Sequence, residues 1–417
     1  MNDLRNDPNA VPVARRSPAR LAEVLLVFLR LGLTSFGGPI AHLGYFREEF
    51  VARRRWVDER TYSDLVALYQ FLPGPASSQV GIGLGISPAG LPGGLAAWFG
   101  FTLPSALALI AFGYGVSSVA GLSESGAVHG LKVAAVAVVA QAVWAMGKTL
   151  CPDAGRASLA VLSALIALIA PTASGQIAAL VICGVLGRWT GRDAAARPHT
   201  AHEFGASRSA AIVAWVLFFC LLLALPVLAR VLDSHALAMF DSFYRSGSLV
   251  FGGGHVVLPL LRAEVVPPGW VSDSAFLAGY GVAQAVPGPL FTFAAYLGTV
   301  MSAPPNGWQG GLLCLVAIFL PSYLLVAGAL PFWQALRDHP AIQASLRGVN
   351  AGVVGLLLGA LYDPIWATSI RSRADFGLAL AAFALLLFGR ASPVLVVAFA
   401  AAGGWLLASW PWLASVF

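Results

Sequence analysis

The sequence is poor in charge: 11% of its 417 residues are Asp, Glu, Lys or Arg, against about 25% in an average soluble domain. The shortage is sharpest for lysine, which occurs twice, as Lys132 and Lys148. A soluble chain of this length needs a charged shell, so a cytosolic enzyme and a disordered hub are excluded. A nucleic-acid binder is excluded too, because phosphate contacts need a basic face. Cysteine is scarce: Cys151, Cys183, Cys220 and Cys314 stand far apart with no C-x-x-C spacing, which argues against a disulfide framework and a zinc site. Also missing are G-x-x-x-x-G-K-[ST], H-E-x-x-H and G-x-S-x-G, so nucleotide-driven pumping and two hydrolytic chemistries have no foothold. We expect no enzyme, no cofactor and no metal.

What is present is hydrophobicity, 58% of residues, and it is arranged as a repeat. FLRLGLTSFGGPIAHL from Phe28 aligns with FYRSGSLVFGGGHVVL from Phe243, setting Arg30 on Arg245 and Phe36-Gly37-Gly38 on Phe251-Gly252-Gly253. Glu49 then meets Glu264. WVDERTYSDLVALYQFLPGP from Trp56 aligns with WVSDSAFLAGYGVAQAVPGP from Trp270, matching Gln70 to Gln284 and both Pro-Gly-Pro triplets. GGLAAWFGFTLPS from Gly93 matches GGLLCLVAIFLPS from Gly310, and HGLKVAAV from His129 matches RGVNAGVV from Arg347, which places Lys132 opposite Asn350. Matches in one order across both halves mark a tandem duplication. The chain divides into a tail, 1–20, a first repeat, 21–190, a spacer with a linker helix, 191–235, and a second repeat, 236–417.

Each repeat offers six apolar runs: 21–46, 62–87, 92–119, 126–149, 156–171 and 174–189, then 240–261, 276–302, 308–333, 347–367, 374–389 and 392–412. Run 210–231 has no counterpart and is long enough to cross a bilayer alone. The first two runs of each repeat are interrupted, by Gly37-Gly38-Pro39, Pro73-Gly74-Pro75, Gly252-Gly253-Gly254 and Pro287-Gly288-Pro289. Proline removes a backbone donor and glycine holds a helix poorly, so the ladder breaks there. Unpaired backbone at membrane depth survives where protein or a water-filled cavity satisfies it, which predicts broken or re-entrant hairpins followed by four ordinary spans. Arginines crowd the tail, the 47–60 loop and the 188–208 spacer, which sets all three in the cytoplasm by the positive-inside rule. An even number of crossings per repeat plus one linker helix then inverts the second copy. The expected fold is an all-α polytopic membrane protein of two inverted-topology repeats, with its N-terminus cytoplasmic, and such repeats with discontinuous helices are a transporter signature.

The motif F-x-R-x-G-x-x-x-F-G-G, the Glu49…Trp56-Val57 segment and Q-x-x-P-G-P, all present twice, resemble the chromate ion transporter family in its long, two-domain form. The resemblance covers nearly the whole chain outside the first twenty residues and the spacer. It implies export of chromate, a sulfate-shaped dianion, across the inner membrane, driven by membrane potential or by anion or proton exchange, with chromate resistance as the outcome; the rival readings are transport of sulfate or a related oxyanion and an anion channel on the same fold. The partners it implies are the chromate or sulfate dianion and the lipid bilayer; a homodimer is compatible with it, and nucleic acid is not a partner. Pro39 stands where the second repeat has Gly254, and Lys132 faces Asn350, so the two repeats do not offer equivalent sites.

A tetrahedral oxyanion needs donors and positive potential without so much fixed charge that it cannot leave. Helix N-termini supply about half a unit charge each together with free N–H groups, and the four breaks start new half-helices. The candidate substrate-binding residues are therefore the break residues Ser35, Gly37, Gly38, Pro73, Gly74, Pro75, Gly252, Gly253, Gly254, Pro287, Gly288 and Pro289. Beside them stand Ser77, Ser78, Thr292, Gln70, Gln284 and His255, all able to donate to an oxyanion or to cap the broken backbone. Arg30 and Arg245 lie inside apolar runs one or two turns before a break, where an arginine is costly and usually faces a cavity. Lys132 and its mate Asn350 complete the set. A cell interior negative by about 100 mV favours outward movement of each negative charge by about 2.3 kcal/mol, so a dianion can leave without a motor.

Overall fold

Side-chain caps set many of the helix starts in the structure, a computed structural model that describes residues 18–36, 38–118, 125–190, 208–250, 256–332, 340–389 and 391–409. Asp58, Ser125, Asp153, Ser234, Ser272 and Ser372 each accept the N–H three residues on, satisfying a donor that the first helical turn cannot. The first repeat runs α1 (Pro18–Thr34), α2 (Gly38–Arg47, prolonged by a π turn to Arg53), α3 (Glu59–Phe71), α4 (Ala76–Ser118), α5 (Gly126–Leu150), α6 (Ala154–Ile169) and α7 (Ala173–Thr190). The linker helix is α8 (Arg208–Val231). The second repeat runs α9 (His235–Leu249), α10 (Val257–Val265), α11 (Asp273–Ala283), α12 (Phe293–Thr299, after a 3-10 turn at Leu290–Thr292), α13 (Gly307–Ala329), α14 (Pro340–Ala360, continued through a π turn to Ser369), α15 (Arg373–Leu387) and α16 (Pro393–Ser409). Among the described residues there is no strand.

The breaks fall where Gly and Pro interrupt the apolar runs. α1 stops at Thr34 and α2 restarts at Gly38; α3 stops at Phe71 and α4 restarts after Pro75. In the second repeat α9 ends at Leu249 and α11 at Ala283, with the Pro287–Pro289 turn before the next helical residues. Gly37 and residues 251–255, including Gly252, Gly253, Gly254 and His255, lie outside the described residues. α4 is two arms rather than one rod. At Gly90 the backbone takes φ 66° and ψ −162°, and the arm before it folds onto the arm after it, with Gly85 and Gly93 so close that neither leaves room for a Cβ. Gly298 of α12 and Gly310 of α13 repeat this contact. The pair forms a re-entrant hairpin in each repeat: a short arm that turns back and a long arm that continues.

Among the described residues, five helical segments are long and apolar enough to cross a membrane: Ala76–Ser117, Gly126–Leu150, Arg208–Val231, Gly307–Ala329 and Pro340–Ser369. The four ordinary spans expected after each hairpin are in fact two long helices and two shorter ones. α6, α7, α15 and α16 have 16, 18, 15 and 17 residues, or about 22–27 Å at 1.5 Å per residue, short of a hydrocarbon core of about 30 Å. Each short pair packs across the duplication. α6 and α7 lie on α14 of the second repeat, and α15 and α16 lie on α5 of the first. Glycine makes the contact backbone to backbone: Gly348 abuts the Cys183 carbonyl, Gly355 the Ala160 carbonyl and Gly130 the Ala400 carbonyl, as small residues do between membrane helices. His129 on α5 and Asp375 on α15 add a 2.8 Å pair. Both repeats therefore share one interlocked core.

Candidate functional site

The interruptions of the two repeats meet each other through two reciprocal hydrogen bonds. Gly74 N–H donates to the Val250 carbonyl at 2.6 Å, and Gly288 N–H donates to the Ser35 carbonyl at 3.0 Å. Gly74 and Gly288 are equivalent in the repeat, and so are Val250 and Ser35, so the Pro-Gly-Pro turn of each half is held by the other half's α1-type helix end. Both glycines take positive φ, 120° and 100°, which an L side chain adopts only under strain. A serine stands over each from the opposite repeat. A Cβ on Gly74 would lie 2.5 Å from Ser322 Oγ on α13, and one on Gly288 would lie 2.9 Å from Ser105 Oγ on α4. Ser105 and Ser322 are the last residues of the matched Leu-Pro-Ser motifs. Contacts that exchange in pairs like this are the mark of a pseudo-two-fold relation.

Polar groups are not shared equally across that relation. Around the first Pro-Gly-Pro stand His42, Ser77, Ser78 and Gln79; their repeat mates are Val257, Phe291, Thr292 and Phe293. Gln79 Nε2 reaches back to the Pro73 carbonyl at 2.6 Å and closes the turn, while His42 Nδ1 meets Ser77 Oγ at 3.3 Å. The His42 ring also stands edge-on to Phe101, 5.2 Å between centroids. Ser35, Ser78, Gln79, Thr102 and Ser322 are at most 4% exposed, and each keeps a side-chain oxygen with no hydrogen-bond partner, as does His42 at Nε2. Buried polar atoms are nearly always paired, so six such atoms around one crossing are an anomaly; an oxyanion would satisfy the four hydroxyls and His42 Nε2 as donors, whereas Gln79 Oε1 accepts and is left to another donor. The first turn of α4 adds backbone N–H groups that have no acceptor within the helix.

Placement of the other candidates is mixed. Pro73, Gly74, Pro75, Ser77, Ser78, Ser35, Pro287, Gly288 and Pro289 are at the crossing, Gly38 opens α2, and Thr292 Oγ1 donates to the Pro289 carbonyl at 2.7 Å, capping the second turn. Gln284 ends α11, with its Nε2 buried and unpartnered. Gln70 is in the last turn of α3; its side chain lies outside the described residues. Arg30 is exposed on α1 and its guanidinium enters no ion pair among the described residues. Arg245 is instead held by Asp241 at 3.0 Å and Glu264 at 2.9 Å. Lys132 is buried in α5 and donates to Ser274 Oγ at 2.5 Å, at the start of α11. The ammonium is thus at the end of α11 away from the Pro287–Pro289 break, about 15 Å along, while the neighbouring Leu131 carbonyl packs on Gly281 in the last turn of α11. Asn350 is half-buried on α14 with an unpartnered Oδ1. Gln79, Thr102, Ser105 and Ser322 escaped the sequence reading, although the twofold Leu-Pro-Ser was a signal for two of them. Among the described residues no three His, Cys, Asp or Glu side chains gather to hold a metal.

Away from the crossing, the arginines after α2 are tied to acids. Glu49 accepts from Arg54 at 2.6 Å and Arg53 at 3.0 Å, and Arg54 also reaches Glu23 at 2.9 Å. Burial alone pushes the Glu49 carboxyl up, but the hydrogen bonds from Arg54 and Arg53 outweigh it and hold the group below the ordinary carboxylate range.

A family model described as chromate transporter matches residues 22–188 and again 237–405. The chain belongs to the chromate transporter family. Its curated chromate transporter relatives include a "Chromate transport protein" of Pseudomonas aeruginosa, 29% identical over 94% of this chain and 93% of that one. Another, of the same description, comes from Cupriavidus metallidurans, with 29% identity over 91% and 92% of the two chains. A "Probable chromate transport protein" of Synechococcus elongatus is 28% identical over 82% of this chain and 84% of its own. No solved structure matches. The chromate transporter model covers both arms of the crossing and stops short of the linker helix α8, which it leaves between its two matches.

Proposed function

We propose that the chain exports chromate across the inner membrane and thereby confers chromate resistance, with the dianion held where the two Pro-Gly-Pro turns cross. The observation that carries this reading is the pair of reciprocal hydrogen bonds, Gly74 to Val250 and Gly288 to Ser35, ringed by buried hydroxyls without partners. Neutral donors and helix N-termini stabilise a tetrahedral oxyanion without a buried lysine or arginine that would trap it. The N-terminus faces the cytoplasm and the second repeat is inverted, so each side of the membrane sees the same architecture in turn. Membrane potential supplies about twice 2.3 kcal/mol per 100 mV for a dianion moving outward. The protein makes and breaks no covalent bond. Sulfate has the same shape and charge as chromate, and counterflow separates the two: proteoliposomes loaded with chromate or with sulfate are offered the labelled anion outside. Chromate exchange lowered by Ser35→Ala and Ser322→Ala supports the reading. Exchange of sulfate without chromate overturns the substrate, and chromate exchange untouched by both variants overturns the site.

A further inference from the structure

α7 and α14, which meet across the duplication, leave a groove between them. Its walls are Leu180, Val181, Gly184 and Val185 of α7 with Ser345 and Val349 of α14, and it holds about 520 Å³. The α7 residues come in pairs four apart, so they form one stripe along the helix. Glycine draws α7 inward: Gly187 abuts Gly348, and a Cβ on Gly184 would lie 3.0 Å from Val349 Cγ2. The floor at Gly184 is therefore backbone. Val181 and Val185 stand beside it, 59% and 49% exposed.

The stripe ends in a charge. Arg188 is exposed and enters no ion pair among the described residues, and Trp189 beside it is 67% exposed. Both line the groove. No acid stands on the surrounding helices: α6, α7 and residues 340–360 of α14 contain no Asp or Glu. Arg156, at the start of α6, is already bound to Asp153. From Leu180 to Trp189 the groove runs about 13 Å at 1.5 Å per residue, close to the roughly 15 Å that one leaflet gives to a hydrocarbon core of about 30 Å. Tryptophan at the end of an apolar helix marks the headgroup boundary, so the guanidinium is at headgroup level.

A groove one leaflet deep, apolar along its length and cationic at its outer end, has the shape and charge of a single lipid. We infer that it binds one anionic phospholipid, with an acyl chain between α7 and α14 and the phosphate on Arg188, whose planar fork suits that group. The lipid covers Val181 and Val185, supplies the missing counter-ion and ties the first repeat to the second at their joint. The site is built once. α16, which holds the place of α7 in the second repeat, has no charged residue from Pro393 to Ser409, and its Gly404 packs directly on Gly126 and Gly130 of α5.

The test titrates the purified full chain, stripped of lipid in detergent, with phosphatidylglycerol or phosphatidylcholine of identical chains, and counts bound lipids by native mass spectrometry. The first phosphatidylglycerol binds about fivefold more tightly than phosphatidylcholine, as one basic residue at the membrane surface provides, and it raises the thermal midpoint. Arg188→Gln removes that preference and leaves the lipid-free midpoint unchanged. Ser345→Phe, which fills the groove, weakens both lipids alike. Glycerol phosphate, a headgroup without chains, does not compete; competition by it assigns the site to a free phosphate and overturns the lipid. A wild type with no headgroup preference overturns the inference, as when an acid of the spacer or a second copy of the chain covers Arg188. A preference that survives Arg188→Gln, or binding untouched by Ser345→Phe, overturns it too. If Ser345→Phe does not fold, Arg188→Gln, at an exposed position, decides. Chromate enters none of these readouts, so failure here is separate from failure of the transport reading.

Discussion

Replacing Ser322 with alanine should act in opposite senses on stability and on anion affinity. Ser322 is fully buried on α13, and its hydroxyl, over Gly74, has no partner. An unsatisfied buried hydroxyl costs about 1–3 kcal/mol, and a methyl group carries no such penalty. The anion-free variant is therefore expected to be as stable as the wild type or about 1 kcal/mol more so. A hydroxyl that donates to a dianion makes a charge-assisted bond worth about 1.5–3 kcal/mol, so the variant loses roughly 10- to 150-fold in chromate affinity. One assay reads both quantities: thermal unfolding of the purified protein over a range of chromate concentrations. The midpoint without chromate holds or rises, while the concentration needed to raise it increases. Ser105→Ala is the control, because that hydroxyl already donates to the Thr102 carbonyl at 3.0 Å and its loss costs about 1 kcal/mol in ordinary fashion. A Ser322→Ala protein that is less stable without chromate, yet responds to chromate as the wild type does, refutes the reasoning.

Four further outcomes are expected. Gly74→Ala and Gly288→Ala each force an L residue to φ above 90°, at about 1–3 kcal/mol; Gly74→Ala is the worse because its Cβ also meets Ser322 and Gln79, and midpoint measurements rank the two. Arg245→Ala leaves Asp241 and Glu264 without their counter-ion and costs about 2–3 kcal/mol, less than a fully buried pair because Arg245 is 29% exposed. Arg30→Ala, which breaks no ion pair, leaves the midpoint unchanged, so any loss of chromate transport there reports on the anion rather than on folding. Glu49 titrates below the ordinary carboxylate range, so its stabilisation is complete above that range and lost as pH falls through the lowered value. Glu49→Gln accordingly flattens the acid limb of the unfolding midpoint plotted against pH, and an unchanged limb argues against the Arg53 and Arg54 contacts.

Much of the architecture was legible because the duplication repeats its Gly and Pro punctuation, and backbone chemistry makes punctuation local. The ends of α1 and α3 follow from Gly38 and Pro73–Pro75 with no knowledge of packing. What packs against each break is not local. Nothing in the run 156–171 says that α6 settles on α14 of the other repeat, since a membrane helix of small residues looks the same whichever partner it meets. Arg30 and Arg245 look equivalent in the alignment and diverge in the structure, because Leu26 and Asp241, one turn earlier, decide whether an acid is there to hold the guanidinium. Lys132 stood out by rarity, yet rarity carries no direction, and its ammonium reaches Ser274 at the start of α11. Ser322 and Gln79 were hidden for the converse reason: serine and glutamine are ordinary in apolar helices, and only the pairing around them makes their unsatisfied atoms visible.

The exchange of short helices between the repeats bears on how the chain is made. α6 and α7 emerge from the ribosome long before α14, the surface they settle on, has been synthesised; about 150 residues separate the end of α7 from the start of α14. Through that interval the first repeat can close its hairpin and align α5, but its last two helices wait in the lipid without their permanent neighbour. A chain cut in the spacer would yield two fragments, each holding the missing wall of the other, and neither would complete its fold alone. Co-expressed, they have every contact needed to find one another.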